Sequence, residues 1–161
     1  MPHTPYRTAA ATAAVVLAAF SLLHLVWLRS PWPLSTREEF LETVVGQTSP
    51  AQSPPPWMTL AVACLLAAAA WLLLARAGYV RGFLPHRLLN AATATAAAVL
   101  LTRGVAGLLL SGAIGQGPSA YRFWDLALYS PVTLALGTVA ALLSYAPAAP
   151  RRREPDADTG T

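Results

Sequence analysis

The sequence contains no lysine and a single cysteine, and only 11% of its 161 residues are charged. One cysteine, Cys64, excludes an intrachain disulfide, a Cys-x-x-Cys redox pair and a thiolate metal cluster within one chain. Soluble domains carry charge on about a quarter of their residues, so charge is unusually scarce here. These absences exclude thiol redox enzymes and disfavour a soluble globular protein.

Apolar residues are what the chain has in excess. Hydrophobic residues make up 55% of the sequence, and its mean hydropathy is +0.49. Such values are typical of membrane proteins. Four membrane spans of about 20 residues each would use roughly half of the chain and leave only loops and tails. The sequence therefore predicts one domain, with no separate soluble unit.

Four long apolar runs divide the chain, and each is long enough to cross a hydrocarbon core of about 30 Å as a helix. We expect an all-α membrane protein whose four transmembrane helices form an up-down bundle. The first run exceeds a typical signal-peptide core and has no small-x-small cleavage site after it, which favours a retained helix. The predicted four-span domain covers residues 1–146, with spans at 8–28, 57–75, 88–110 and 123–145, and residues 147–161 are predicted to be a disordered tail.

The arginines are distributed unevenly between the two sides that these spans would create. Seven fall on the side of the termini and three on the other side, namely Arg7, Arg76, Arg81, Arg87 and Arg151–Arg153 against Arg29, Arg37 and Arg122. The positive-inside rule then predicts that both termini are cytoplasmic. The absence of lysine together with abundant alanine suggests a bacterium and hence its cytoplasmic membrane. Nucleic acid is not an expected partner, because no basic stripe with interleaved aromatic residues exists.

Arg103 interrupts the third span and is the most informative residue. A guanidinium inside a span costs at least about 2.5 kcal/mol unless it pairs, snorkels or faces water. Asp125, near the outer start of the fourth span, is the best candidate partner and could accept a bidentate contact. Two interpretations stay open: the pair either holds spans three and four in register or also binds a ligand.

Other polar residues are expected at a similar depth in the outer half of the bundle. His24 and Trp27 lie on nearly the same face of span one, and Tyr129 shares a face with Asp125. His24 could donate to a lipid or quinone headgroup, or it could bond to a neighbouring helix. Haem ligation is disfavoured because two axial histidines at one depth are missing, so neither a cofactor nor a metal is predicted.

Small and helix-breaking residues accompany these polar groups. Gly104 and Gly107 lie on the turn that carries Arg103, and this spacing predicts close helix packing. Pro131 follows Ser130 in span four, where its missing N–H predicts a kink and a freed backbone carbonyl.

Three features together resemble a known family. They are His24 with Trp27, the Arg103-Gly104 pair with Gly107, and the run FWDLALYSPVTLALG that begins at Phe123. They resemble the family of small bacterial membrane proteins catalogued as domain of unknown function 3995, over about residues 6–146. The resemblance implies a four-helix membrane fold, and it implies no activity, cofactor or partner.

Two kinds of function are consistent with these residues. The first is a non-enzymatic membrane component, an accessory subunit or small binding protein, whose partners are the lipid bilayer and a lipid-like ligand or a membrane protein subunit. The alternative is a membrane enzyme or carrier for a lipid-like or anionic small molecule, with Arg103 holding the anion and His24 or Tyr129 handling protons. No recognised catalytic motif favours the second. An open, partly apolar pocket lined by His24, Arg103 and Tyr129 would favour ligand chemistry, whereas a dry, closed pair would favour a structural role.

Overall fold

The structure, a computed structural model, describes residues 4–49, 51 and 53–145, and within these ranges it is helical without strands. Four helices are long and apolar enough to cross a membrane: Tyr6–Trp27, Pro56–Arg76, His86–Ile114 and Ser119–Tyr145. The predicted all-α fold with four membrane-spanning helices is confirmed. The tail predicted for residues 147–161 lies outside the described residues.

The helices extend beyond the predicted spans where they approach the connecting loops. The third continues to Ile114 rather than residue 110, and the fourth begins at Ser119 rather than residue 123. The third helix ends in the π-helical segment Leu108–Ile114, and the fourth contains the π-helical turn Asp125–Tyr129. Turns of this kind are wider than α-helical turns. The elements are α1 (Thr4–Trp27), α2 (Arg37–Phe40, continued by the π-helical turn Leu41–Val45), α3 (Pro56–Arg76), α4 (His86–Gly107, continued by the π-helical segment Leu108–Ile114), α5 (Ser119–Trp124, continued by the π-helical turn Asp125–Tyr129) and α6 (Ser130–Tyr145).

Local sequence explains where several helices begin and end. Thr36 caps α2, because its hydroxyl oxygen accepts a hydrogen bond from the Glu39 N–H at 3.1 Å. The π-helical turn after α2 ends at Gly46 with φ 77°, and the extension of α4 ends at Gly115 with φ 74°. Glycine adopts this left-handed conformation without a Cβ penalty, so both helices end in a left-handed cap.

Contacts between helices define an up-down arrangement. Near the end of α1, the Ser21 hydroxyl donates to the Ala63 carbonyl near the start of α3 at 2.8 Å, so these helices run antiparallel. At the opposite end, the Arg7 guanidinium lies 4.8 Å from the Tyr79 ring centroid. We call the end where α1 begins and α6 finishes the termini end. The opposite end, which holds residues 28–49, 53–55 and 115–118, is the loop end.

Small side chains allow the helices to pack closely. The buried core draws on α1, α3, α4 and α6, and its members are Ala10, Ala13, Ala14, Leu17, Ala69, Ala70, Leu73, Ala77, Ala97, Leu136, Ala140 and Leu143. Alanine dominates this set, which brings backbones near one another. Dispersion contacts between close helices supply much of the stability where no hydrophobic effect operates between helix and lipid.

Large apolar side chains cover the outside of the bundle. Val15, Leu65 and Val99, from three different helices, are 67%, 69% and 62% exposed. A water-soluble monomer rarely exposes apolar surface this extensive. Large apolar side chains point outward and small residues fill the interior. This is the arrangement of helices that are surrounded by lipid.

Two glycines, Gly104 and Gly137, lie where α4 and α6 approach each other closely. A Cβ atom added at Gly104 would lie 2.5 Å from Leu134 Cγ and 3.0 Å from Thr133 Oγ1. One added at Gly137 would lie 2.8 Å from Leu101 Cγ and 3.0 Å from the Leu101 backbone nitrogen. These distances are shorter than ordinary carbon contacts, so only glycine fits at either position without a shift of the helices.

We therefore expect Gly104→Ala to lower the free energy of unfolding by about 1–3 kcal/mol, because the added methyl group overpacks the helix interface. Gly82→Ala is the matched control, since its Cβ would make only ordinary contacts, 3.6 Å from Leu89 and 3.8 Å from Ala75. Equilibrium unfolding in mixed detergent micelles measures both effects. Equal stability of the two variants would contradict close packing at Gly104.

Candidate functional site

Asp125 carries a completely buried carboxylate at the loop end of the bundle. Its exposed fraction is 0%, and it begins the π-helical turn after α5. The carboxylate accepts three hydrogen bonds: from Arg103 Nη2 to Oδ1 at 2.9 Å, from Ser111 Oγ to Oδ2 at 2.6 Å and from Ser130 Oγ to Oδ1 at 3.2 Å. Both oxygens are therefore satisfied, as a buried charge requires.

Arg103 forms the other half of the ion pair but remains partly open. Its Nη2 donates to Asp125 and also to the Tyr121 hydroxyl oxygen at 3.2 Å. The side chain of Arg103 is 41% exposed, whereas that of Asp125 is 0% exposed. The pair is thus asymmetric, with a buried anion holding a cation that faces outward.

Wide turns place the hydroxyl donors around the carboxylate. Ser111 lies in the π-helical extension of α4, and Ser130 directly follows the π-helical turn that begins at Asp125. The Ser130 backbone N–H donates to the Asp125 carbonyl, which closes that wider turn. Pro131 comes next and lacks an N–H, so the α-helical bond to the carbonyl four residues back cannot form. A π-helical turn therefore lies directly before Ser130 and Pro131, and the kink expected at Pro131 stays a prediction.

Gly107 makes room for the whole arrangement. A Cβ atom at this position would overlap Ser130 Oγ, and it would lie 2.5 Å from Arg103 Nη1 and 2.8 Å from Asp125 Oδ2. Gly107 was predicted as a packing residue. The structure shows that the group packed against it is the ion pair itself.

A cavity of about 240 Å³ lies beside the exposed face of Arg103. Three parts of the loop end enclose it: the end of the turn after α2, the last turns of α4 with its extension, and the segment leading into α5. The lining residues are Val45, Gly46, Gln47, Arg103, Ala106, Gly107, Leu110, Ser111, Gln116, Gly117, Tyr121 and Asp125. The wall is mostly apolar, and its charged groups are Arg103 and Asp125.

Tyr121 lies between the two connections of the loop end, residues 28–49 and 115–118, across this cavity. A Cβ atom at Gly46 would lie 3.1 Å from the Tyr121 ring, and one at Gly117 would lie 3.1 Å from the same ring. Both glycines have positive φ, 77° and 94°. The Tyr121 ring therefore packs against backbone from both connections, and its hydroxyl oxygen meets Arg103. Tyr129 lies nearby, with its ring centroid 6.4 Å from that of Tyr121.

The structure does not bring His24 and Trp27 to this cluster. The His24 ring lies 4.8 Å from that of Trp27, and Trp27 lies 5.2 Å from Phe40. His24 Nδ1 is 2.7 Å from the Phe20 carbonyl of its own helix. Neither residue lines the cavity beside Arg103. The expected cluster of His24 with Arg103 is corrected for a physical reason: similar depth does not determine which face of a helix a side chain occupies.

Sequence reasoning did not assign Ser111, Tyr121 or Arg122 to the site. Arg122 Nε donates to the Ser111 carbonyl at 3.2 Å and so links the start of α5 to the extension of α4. The sequence did indicate that further donors were needed, because a carboxylate buried in an apolar medium requires hydrogen-bond donors besides one guanidinium. In the part of the chain that the structure describes, no three His, Cys, Asp or Glu side chains gather as a metal site.

Fold and site together define a small multi-pass membrane protein of four helices, with an arginine–aspartate pair beside a cavity at the loop end. A family model described as "Protein of unknown function (DUF3995)" matches residues 8–140, which is most of the chain. The protein belongs to this family. Comparison with curated proteins and with solved structures finds no match.

We expect a double-mutant cycle on Arg103→Ala and Asp125→Ala to show strong coupling. Either single change leaves one charge without its partner, and the double change removes both, so the stability losses should fall short of additive by about 1 kcal/mol or more. Unfolding in mixed micelles measures the cycle. Arg29→Ala, an exposed arginine, combined with Asp125→Ala is the control and should be additive. Additive losses for Arg103 and Asp125 would contradict an energetic pair.

Proposed function

We propose that the protein is a small membrane binding component that holds an anionic headgroup in the loop-end cavity, with Arg103 as the binding cation. The single observation that carries the proposal is the exposure of the Arg103 guanidinium, 41%, against full burial of the Asp125 carboxylate that holds it. A pair with only a structural role has no need to open one partner into a cavity.

The hydrogen-bonding capacity of Arg103 supports this role. A guanidinium carries five N–H donors in a planar fork that matches carboxylate and phosphate oxygens. The two hydrogen bonds of Arg103 to other described residues both start from Nη2. Nε and Nη1 have no acceptor within the described residues, so three N–H groups remain for an anion.

The placement of the two charges, rather than a net charge, favours an anionic ligand. Arg103 and Asp125 are the charged residues of the cavity lining, and their formal charges cancel. The carboxylate is buried, however, and the guanidinium is 41% exposed. An anion in the cavity therefore meets the cation first, and in a partly apolar medium this contact is stronger than it would be in water.

The size and lining of the cavity suggest which part of a ligand it holds. Its volume of about 240 Å³ is below the range of about 300–1,000 Å³ that is common for sites enclosing drug-sized ligands. A phosphate or carboxylate headgroup fits such a space. Val45, Ala106 and Leu110 give the wall an apolar character that suits the first carbons of an attached chain.

Asp125 is better suited to positioning than to proton transfer. Its carboxylate is fully buried and accepts three hydrogen bonds, from Arg103, Ser111 and Ser130. These bonds fix the orientation of the carboxylate and, through it, that of the guanidinium. The geometry accordingly favours binding over the alternative of an enzyme that uses this acid.

Arg103→Gln should weaken binding of octyl phosphate roughly tenfold, because a charge-assisted hydrogen bond is lost. The measurement is isothermal titration of the protein in dodecyl maltoside micelles, with octyl glucoside as the neutral amphiphile. Inorganic phosphate in a parallel titration separates a free anion from a headgroup with a chain. A second variant, Ala106→Phe, fills the cavity and leaves the ion pair in place, and it should abolish the binding of octyl phosphate.

Arg29→Gln is the matched control, since this arginine is exposed and does not line the cavity. It should bind octyl phosphate as the unmodified protein does. Equal binding by the unmodified protein, Arg103→Gln and Ala106→Phe would contradict the proposed site.

The orientation belongs to the same proposal: both termini face the cytoplasm of a bacterial cell, and the cavity opens on the opposite side. The excess of arginines at the termini end supports it. In a Cys64→Ser background, Ser35→Cys should react with a membrane-impermeant maleimide in intact cells, and Gly82→Cys only after lysis. Both positions are exposed, so the side of the membrane on which each cysteine lies determines whether it reacts in intact cells. The reverse labelling pattern would place the termini outside.

A further inference from the structure

A second charged surface lies at the termini end, far along the bundle from the cavity. It comprises Arg7 at the start of α1, the connector between α3 and α4 with Arg81, and Arg87 in the first turn of α4. All three arginines are exposed. We call these three residues, with Tyr79 and Phe83, the basic surface. Every acidic residue of the described chain lies at the loop end, namely Glu38, Glu39, Glu42 and Asp125.

Arg76 also lies at this end, but it is buried and hydrogen-bonded within the bundle, unlike the three exposed arginines. Arg76 is buried, with 7% exposure, and its Nε and Nη2 donate to the Leu143 carbonyl near the end of α6. Its Nη1 lies 3.1 Å from His86 Nε2 at the start of α4. Arg76 thus ties three helices together. The exposed arginines make no such bond in the described structure, apart from the contact of Arg7 with the Tyr79 ring.

Aromatic side chains place the basic surface at the level of lipid headgroups. Phe83 is 80% exposed and stacks on Trp71 of α3, with ring centroids 4.5 Å apart. Tyr79 is 46% exposed and carries the Arg7 guanidinium 4.8 Å from its ring centroid. Aromatic residues concentrate where hydrocarbon meets headgroups. Exposed guanidinium groups beside them meet lipid phosphates rather than bulk solvent.

We propose that the basic surface binds anionic phospholipids, with Arg7, Arg81 and Arg87 meeting headgroup phosphates and Phe83 lying against acyl chains. Charge complementarity selects the occupant, because three exposed cations face no carboxylate at this end of the described structure. Arginine suits phosphate by its planar donor fork. The surface is independent of the cavity at Arg103, so either assignment can fail without the other.

The test is native mass spectrometry of the full chain released from dodecyl maltoside micelles that contain equal amounts of phosphatidylglycerol and phosphatidylcholine. The unmodified protein should retain phosphatidylglycerol preferentially. R81Q/R87Q should reduce this preference about tenfold or more, because each arginine near an anionic lipid surface contributes to the attraction. R81K/R87K should keep most of it, which separates charge from folding.

R29Q/R37Q is the matched control, since it removes two exposed arginines from the loop end. It should retain the lipid preference. Raising the ionic strength from about 50 to about 500 mM should weaken the preference of the unmodified protein, because salt screens exposed charges. The proposal is overturned if R81Q/R87Q keeps the preference, if R29Q/R37Q loses it equally, or if high salt leaves it unchanged.

The alternative to a lipid on the basic surface is the chain's own C-terminal sequence, which contains Glu154, Asp156 and Asp158. E154Q/D156N/D158N should leave the phosphatidylglycerol preference as it is. A several-fold rise in that preference, lost again when Arg81 and Arg87 are also changed to Gln, would assign the surface to the chain's own C-terminal segment and overturn the lipid assignment.

Discussion

The ion pair between Arg103 and Asp125 is the constraint on which the loop end of the structure depends. A guanidinium in a membrane helix must find a counter-charge, and a carboxylate in the same medium must find donors. The 2.9 Å contact meets the first requirement, and the hydroxyls of Ser111 and Ser130 meet the second. Together they link α4 and its extension to the turn after α5 and to the start of α6, and they demand glycine at position 107 because a Cβ there would displace the pair.

The asymmetry of this pair connects packing to function. Full burial of Asp125 makes the carboxylate a rigid anchor, while partial exposure leaves Arg103 with donors directed at a cavity. Tyr121 joins the guanidinium to both connections at the loop end, since backbone from each packs on its ring. The proposed binding site therefore lies where three segments meet, and Asp125 holds its cation in place.

The bundle accommodates two helix arginines in different ways. Arg103 uses a carboxylate and keeps an open face, whereas Arg76 uses the Leu143 carbonyl and a histidine and is almost fully enclosed. The first arrangement leaves N–H donors without an acceptor in the described structure, and the second joins helices at the termini end. Arg7, Arg81 and Arg87, the other described arginines at that end, stay exposed, and the proposed lipid surface is built from them.

The sequence by itself determined the class of this protein, because the length and apolarity of four runs decide which segments can reside in lipid. It also singled out Arg103 and Asp125, since charge in such a run is costly enough to require pairing. Only the tertiary structure decided that His24 faces an aromatic cluster with Trp27 and Phe40, and that Ser111 and Tyr121 reach the pair. The reason is rotational: residue spacing gives depth along a helix, but π-helical turns and neighbouring helices determine which face a side chain occupies.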